Sequence, residues 1–158
     1  MSKITIGCIA KDAASGFQGT VTSRSEFMNG NIQFALQPAV KDDSITLPEA
    51  VQFDIAQLDY VSEGISGRST PANDHCPGAL GALVEDKVTG LRGTATHRTT
   101  FLNGCVYYIV TRKVDNRDDI PEMFADSSRL TIITPATLPA ATAAKPVGGP
   151  STRARRAT

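Results

Sequence analysis

Phe27-Met28-Asn29-Gly30-Asn31 recurs as Phe101-Leu102-Asn103-Gly104-Cys105, 74 positions further along the chain. Asn-Gly between apolar runs is a strong short-range signal for a two-residue β-hairpin. A type I′ turn needs positive φ at both central residues, which Asn tolerates and Gly adopts without steric cost. Each copy sits between runs that read as strands, so the pair predicts one small β module built twice.

The match extends outward from the turns. Between Gly7–Val40 and Gly81–Val114 the offset is constant, and eleven of the thirty-four positions are identical. These are Gly7/Gly81, Asp12/Asp86, Gly16/Gly90, Gly19/Gly93, Thr20/Thr94, Thr22/Thr96, Arg24/Arg98, Phe27/Phe101, Asn29/Asn103, Gly30/Gly104 and Val40/Val114. Further on the copies differ by two residues in length and re-register through Pro48-Glu49 and Pro121-Glu122, Asp54 and Asp126, and Leu58 and Leu130. Glycines and turn formers are prominent among the identities, so the copies share mainly backbone geometry. Gly16 and Gly90 read as tight turns, and Gly19 and Gly93 as bulges that bend a strand.

Within the first copy, residues 3–10 alternate and are rich in β-branched side chains, which predicts a strand. Residues 17–28 and 31–40 read as the two arms of the hairpin. Ile32, Phe34 and Leu36 share one face, and Pro38 marks the fraying end. A short strand over 51–53, an Asp-capped helical turn over 54–57 and a closing strand over 58–61 complete the unit. Short, bent, five-stranded units of this size close into small barrels. The expected fold is all-β: two tandem five-stranded SH3-like barrels with a short helical turn each, plus an extended low-complexity C-terminal tail. The expected divisions are 1–61 and 79–134 for the barrels, 62–78 for a linker and 135–158 for a Pro/Ala/Thr-rich basic tail.

Formal net charge is zero, which argues against nucleic-acid binding over the whole surface. Residues 1–61 carry four basic and seven acidic side chains, whereas residues 79–134 carry seven of each. No acidic residue follows Asp126, and the tail holds Lys145, Arg153, Arg155 and Arg156. Three cysteines, Cys8, Cys76 and Cys105, make no disulfide framework and read as reduced thiols. No apolar run approaches the ~20 residues that cross a bilayer, and the N-terminus lacks a signal-peptide core. No membrane association is expected.

Candidate chemistry is sparse. His75, His97 and the three cysteines lack the paired spacing of a zinc site, so no metal and no cofactor is expected. His97 faces Ser23 in the alignment of the copies and has no flanking nucleophile motif, so no catalytic residue is assigned. Asp42-Asp43 and Asp118-Asp119 read as solvated loop formers. Gly16-Phe17-Gln18-Gly19 and Gly90-Leu91-Arg92-Gly93 run into strands rather than helices, unlike a phosphate cradle. Arg24 and Arg98 are the shared polar residues of most interest. They suit an anion, a nucleic-acid backbone or a partner carboxylate, or else an internal pairing with Asp12 and Asp86 or with Asp54 and Asp126. Arg153, Arg155 and Arg156 add an electrostatic contact for nucleic acid.

The block Asp86-Lys87-Val88-Thr89-Gly90-Leu91-Arg92-Gly93, with Arg98 and Leu102-Asn103-Gly104-Cys105, resembles a small protein family of tailed bacteriophages. Phe53-Asp54-Ile55-Ala56-Gln57-Leu58 and Gly148-Gly149-Pro150 look like that family's closing segment and tail. This chain departs from the pattern in carrying two modules and in its less regular second closing segment, Phe124-Ala125-Asp126. The resemblance carries no catalytic residue across. It implies a non-enzymatic virion accessory protein, a capsid decoration or head-associated component, made in the host bacterial cytoplasm. Its partners would be the major capsid or neighbouring head and tail proteins, with self-association and nucleic-acid contact through the basic tail as further classes. The alternative is an intracellular phage-encoded module for nucleic acid, a signalling nucleotide or a host protein, with Arg24 and Arg98 as anion contacts.

Overall fold

The computed structural model describes residues 3–42, 45–114 and 120–137. The tail from 138 onward, with Arg153, Arg155 and Arg156, and the second residue of Asp42-Asp43 together with Asp118-Asp119, lie outside the described residues. The first copy contributes β1 (Ile9–Asp12), β2 (Gln18–Phe27), β3 (Ile32–Gln37), β4 (Val51–Asp54) and β5 (Leu58–Ser62). The second contributes β6 (Leu83–Asp86), β7 (Arg92–Phe101), β8 (Val106–Thr111), β9 (Glu122–Asp126) and β10 (Leu130–Thr134). The fold is all-β. Every pairing between these strands is antiparallel, and the same order, β5-β1-β2-β3-β4, recurs as β10-β6-β7-β8-β9. One further pairing, β2 with β7, joins all ten strands into one open sheet.

Each copy has its own core. Cys8, Ala10, Val21, Phe34, Leu36 and Leu58 pack in the first, with Ile4. Their counterparts Ala82, Val84, Ala95, Tyr108, Val110 and Leu130 pack in the second, with Cys76, Ala79, Val106 and Ala125. Ala10 and Val21 become Val84 and Ala95, an exchange that keeps the summed volume, which cores tolerate best. Asp54 and Asp126 cap the 3₁₀ turns Ile55–Gln57 and Ser127–Arg129, accepting from the backbone N–H of Ala56 at 3.0 Å and of Ser128 at 2.8 Å.

Four local expectations differ from the structure. The first strand begins at Ile9, not at residue 3. Gly7 has φ +92°, and a Cβ there would lie 2.7 Å from the Ser66 Cα, so the chain turns at Gly7 and only then enters the sheet. The hairpins are not type I′. Gly30 and Gly104 have φ +89° and +84°, whereas Asn29 and Asn103 stay at negative φ. The Phe27 carbonyl accepts from Gly30 N–H and the Asn31 carbonyl from Phe27 N–H, the pattern of a type I turn closed by a glycine bulge. Asn29 and Asn103 owe their place to side-chain bonds: each Oδ1 accepts from the backbone N–H two residues on, at 3.0 Å.

Gly19 and Gly93 are not the bulges. A Cβ on Gly19 would meet the Gln37 backbone at 2.7 Å, and one on Gly93 the Thr111 carbonyl oxygen at 2.5 Å, so these glycines admit a close strand. In the β2–β3 and β7–β8 ladders the register shifts fall instead at Thr22 and Thr96, whose Oγ1 atoms donate to the Ala35 and Ile109 carbonyls across the sheet. Finally, residues 62–78 are not a free connection. Ile65 N–H donates to the Gly7 carbonyl, Thr70 N–H to Leu102, and Asn73 N–H to Gly104, so the segment is stitched to both copies.

Gly93→Ala is expected to cost about 1–3 kcal/mol of stability by overpacking. Gly67→Ala, where nothing lies within 4 Å, should stay within about 0.5 kcal/mol. Urea unfolding of the two variants distinguishes close approach from a general intolerance of alanine.

Candidate functional site

The seam between the copies has a local twofold. Ser25 pairs with Thr99, its own counterpart in the other copy, and their hydroxyls hydrogen-bond at 3.1 Å. Arg24↔Thr100 and Glu26↔Arg98 flank that pair, as do Phe27↔His97 and Ser23↔Phe101. Met28 N–H donates to the Thr96 carbonyl at 2.9 Å and Leu102 N–H to the Thr22 carbonyl at 3.1 Å, closing the two ends alike.

The charges break this symmetry, because the second copy has Thr100 where the first has Glu26. Glu26 therefore serves both arginines, at 2.9 Å from Arg24 Nη1 and 2.7 Å from Arg98 Nη1. Arg98 also donates from Nε to Asp74 Oδ2 at 2.9 Å and from Nη1 to Thr100 Oγ1 at 3.1 Å. Tyr108, fully buried where the first copy has Phe34, places its hydroxyl 2.6 Å from the same Asp74 oxygen. Arg24 and Arg98 thus meet two carboxylates, and the cluster is neutral.

Burial and internal partners together set the titration of this cluster. It would raise the Asp74 pKa, but bonds from Tyr108, the Cys76 backbone and Arg98 outweigh it and hold the carboxyl below its ordinary range. Burial also acts against the charge on Arg98, yet Asp74 and Glu26 bind the guanidinium more firmly still. The Tyr108 phenol is pushed up by burial and by Asp74, and the Cys76 thiol is pushed up by the same two causes. Each group therefore keeps its neutral-pH form.

The expected internal partners of the arginines differ from those observed. Asp86 is taken by Arg129, with Nε and Nη2 at 2.9 and 2.8 Å. Asp12 bonds its own Ser15, while Asp54 and Asp126 cap turns. The reason is strand parity: Arg24 and Glu26 are two apart and share a face, which brings Glu26 between the arginines. Glu26, Asp74, Tyr108 and Arg129 escaped the sequence reading. Only Glu26 had a legible signal, as an opposite charge two positions from a shared arginine. Gly16 and Gly90, at φ +76° and +75°, make the tight turns below Asp12 and Asp86.

The opposite face of the seam is a second candidate. Strands β4-β3-β2-β7-β8-β9 form a continuous six-stranded stretch. The registers put Ser23, Ser25, Gln33, Ala35 and Gln52 on the side away from the first core, where Ser23, Ser25 and Ala35 are buried and Gln52 is exposed. The matching positions in the second are His97, Thr99, Tyr107, Ile109 and Phe124. Tyr107 stacks on Phe124 with centroids 4.9 Å apart and meets Phe101 edge-on at 5.6 Å, and Phe124 is 56% exposed. Beside Phe101 a shallow cleft of about 520 Å³ is lined by Thr22, Arg68, Thr70, Leu102 and Asn103.

Among the described residues, no three His, Cys, Asp or Glu side chains converge as metal ligands would, and no helix is long and apolar enough to cross a membrane. No family model, curated protein or solved structure matches the chain.

Arg129→Gln is expected to lower stability by about 1–3 kcal/mol near pH 7, because it leaves the buried Asp86 carboxylate without its cation. A depressed folded-state pKa contributes stability above the unfolded carboxylate range, and that stability is lost as pH falls toward the folded value. The gap between the two proteins should therefore narrow below about pH 4. Denaturant titrations from pH 7 to pH 3 check the sign, and a gap constant with pH would contradict the pairing.

Proposed function

We propose that the protein is a non-enzymatic bacteriophage virion accessory component, a capsid decoration or head-associated protein built from two tandem SH3-like barrels. What carries this reading is the disposal of the shared charged groups. Arg98 and Asp86 are spent on internal partners, while the second half of the six-stranded face carries the Phe101, Tyr107 and Phe124 cluster, with Phe124 56% exposed. Exposed aromatic clusters of this kind serve protein contacts, where a few large side chains carry most of the binding energy.

The barrel assignment draws support from the strand order within each copy and from the 3₁₀ turn ahead of each last strand. The phage assignment draws on the resemblance of the Asp86–Gly93 and Leu102–Cys105 blocks. On this reading the partners are the major capsid or neighbouring head and tail proteins. They are engaged through barrel surfaces, edge strands and the basic tail, whose arginines also suit packaged nucleic acid. A signalling nucleotide held by Arg24 and Arg98 finds less support, since Glu26 and Asp74 already match their charge.

Mass spectrometry of purified particles should find the chain with the virion, and its confinement to the infected-cell lysate would sink the reading. Phe124→Ser should lower incorporation at least about tenfold, as loss of a binding hot spot does. Its stability should change by about 1 kcal/mol or less, the worth of one aromatic pair.

A further inference from the structure

The two copies build the same frame around Asp12 and Asp86 and complete it differently. Each aspartate's carbonyl accepts from a glycine N–H, that of Gly16 at 2.9 Å or Gly90 at 2.7 Å. Each Oδ2 accepts from a backbone N–H and a hydroxyl three residues on, from Ser15 at 2.7 and 2.5 Å or from Thr89 at 3.0 and 2.5 Å. The next residue's N–H reaches the carbonyl of Gln57 at 2.9 Å, or that of Arg129 at 2.8 Å. Gln57 and Arg129 therefore hold equivalent places.

The side chains at those places part company. Arg129 lays its guanidinium across both oxygens of Asp86. Gln57 is exposed, and Asp12 Oδ1, enclosed in a residue only 4% exposed, accepts no hydrogen bond of ordinary geometry among the described residues, the Ala14 backbone N–H adding only a lesser pull on the carboxylate. A buried carboxylate oxygen has given up hydration and ordinarily gains a donor in return. Arg129 makes its bonds while its side chain is 36% exposed, so the approach to this frame runs along the surface.

We propose that Asp12 is a receptor for an arginine side chain from outside the first copy, which seats its guanidinium as Arg129 does on Asp86. Arginine fits better than lysine because the bond pattern at Asp86 uses two parallel N–H donors, a fork an ammonium lacks. The neighbouring surface suits a chain laid alongside. β5 pairs with β1 through Asp12↔Leu58, has no second strand partner among the described residues, and exposes Tyr60 and Val61. Two sources offer this chemistry: Arg153, Arg155 or Arg156 of the chain itself, or a partner protein.

The test follows the carboxyl carbon resonances of Asp12 and Asp86 in the full chain by NMR while N-acetyl-arginine methylamide is added. A parallel titration uses the triple variant Arg153→Gln, Arg155→Gln, Arg156→Gln. A saturable shift at Asp12 and none at Asp86 is expected, with a weaker response to the lysine analogue and none in Gln57→Arg. Gln57→Arg should also raise the thermal midpoint by about 2–5 °C. A response in both proteins assigns the arginine to a partner, and one confined to the triple variant assigns it to the chain's own arginines. No response at Asp12 in either, as for an oxygen satisfied by water alone, an equal response at Asp86, or a response that survives Gln57→Arg would overturn the proposal.

Discussion

A strand has two edges, yet β2 has three partners, and the way it serves them organises the molecule. One edge carries β3 along its length, while the other gives residues 18–20 to β1 and residues 23–27 to β7. The bulge at Thr22 makes this division work. Val21 and Arg24 pair with Leu36 and Phe34, which share a face, so they lie on the same side although three residues apart. Without the extra residue, parity would turn Arg24 and Glu26 outward and bring Ser23 and Ser25 in. The charged seam, the two cores and the outer face all inherit their sides from that residue and from Thr96 in the second copy.

The copies keep what holds the backbone and vary what meets neighbours. Gly19 and Gly93 admit a close strand, Thr22 and Thr96 sit at the bulge, and Asn29 and Asn103 bond the turn. The differences at matched places are chemical. Phe34 becomes Tyr108, whose hydroxyl needs a buried acceptor and finds Asp74. Glu26 becomes Thr100, which leaves Arg98 short of one anion, and Asp74 from the connecting segment supplies it. The connection thus contributes the charge that the second copy lacks.

Much of the architecture was legible because it rests on local rules. Alternation marked the strands, the aspartate before Ile55 marked a capped turn, and the constant offset marked the repeat. What escaped depends on contacts distant in sequence. Asn-Gly is compatible with two hairpin loops, and the choice turned on which residue takes positive φ. Gly19 reads as a bulge or as a close approach, and only the Gln37 backbone beside it decides. Asp74 sits in a stretch with the composition of a linker, and nothing local says that Arg98 and Tyr108 converge on it. Arg129 reaches Asp86 over forty-three residues, a pairing that the copies could not advertise because position 57 is Gln.

Two like strand orders in one chain permit what a symmetric dimer of one module cannot. Across an isologous interface every residue meets its own copy's complement, so a glutamate at position 26 would appear twice and an aromatic face would be aromatic on both sides. Here one Glu26 answers two arginines, and one connecting segment places Asp74 on one side of the axis only. The outer face is polar across Ser23, Gln33 and Gln52 and aromatic across His97, Tyr107 and Phe124. The unpaired Asp12 oxygen and the filled Asp86 site divide the same way. A single chain with one shared sheet therefore presents two unlike surfaces, which a symmetric pair of identical modules could not.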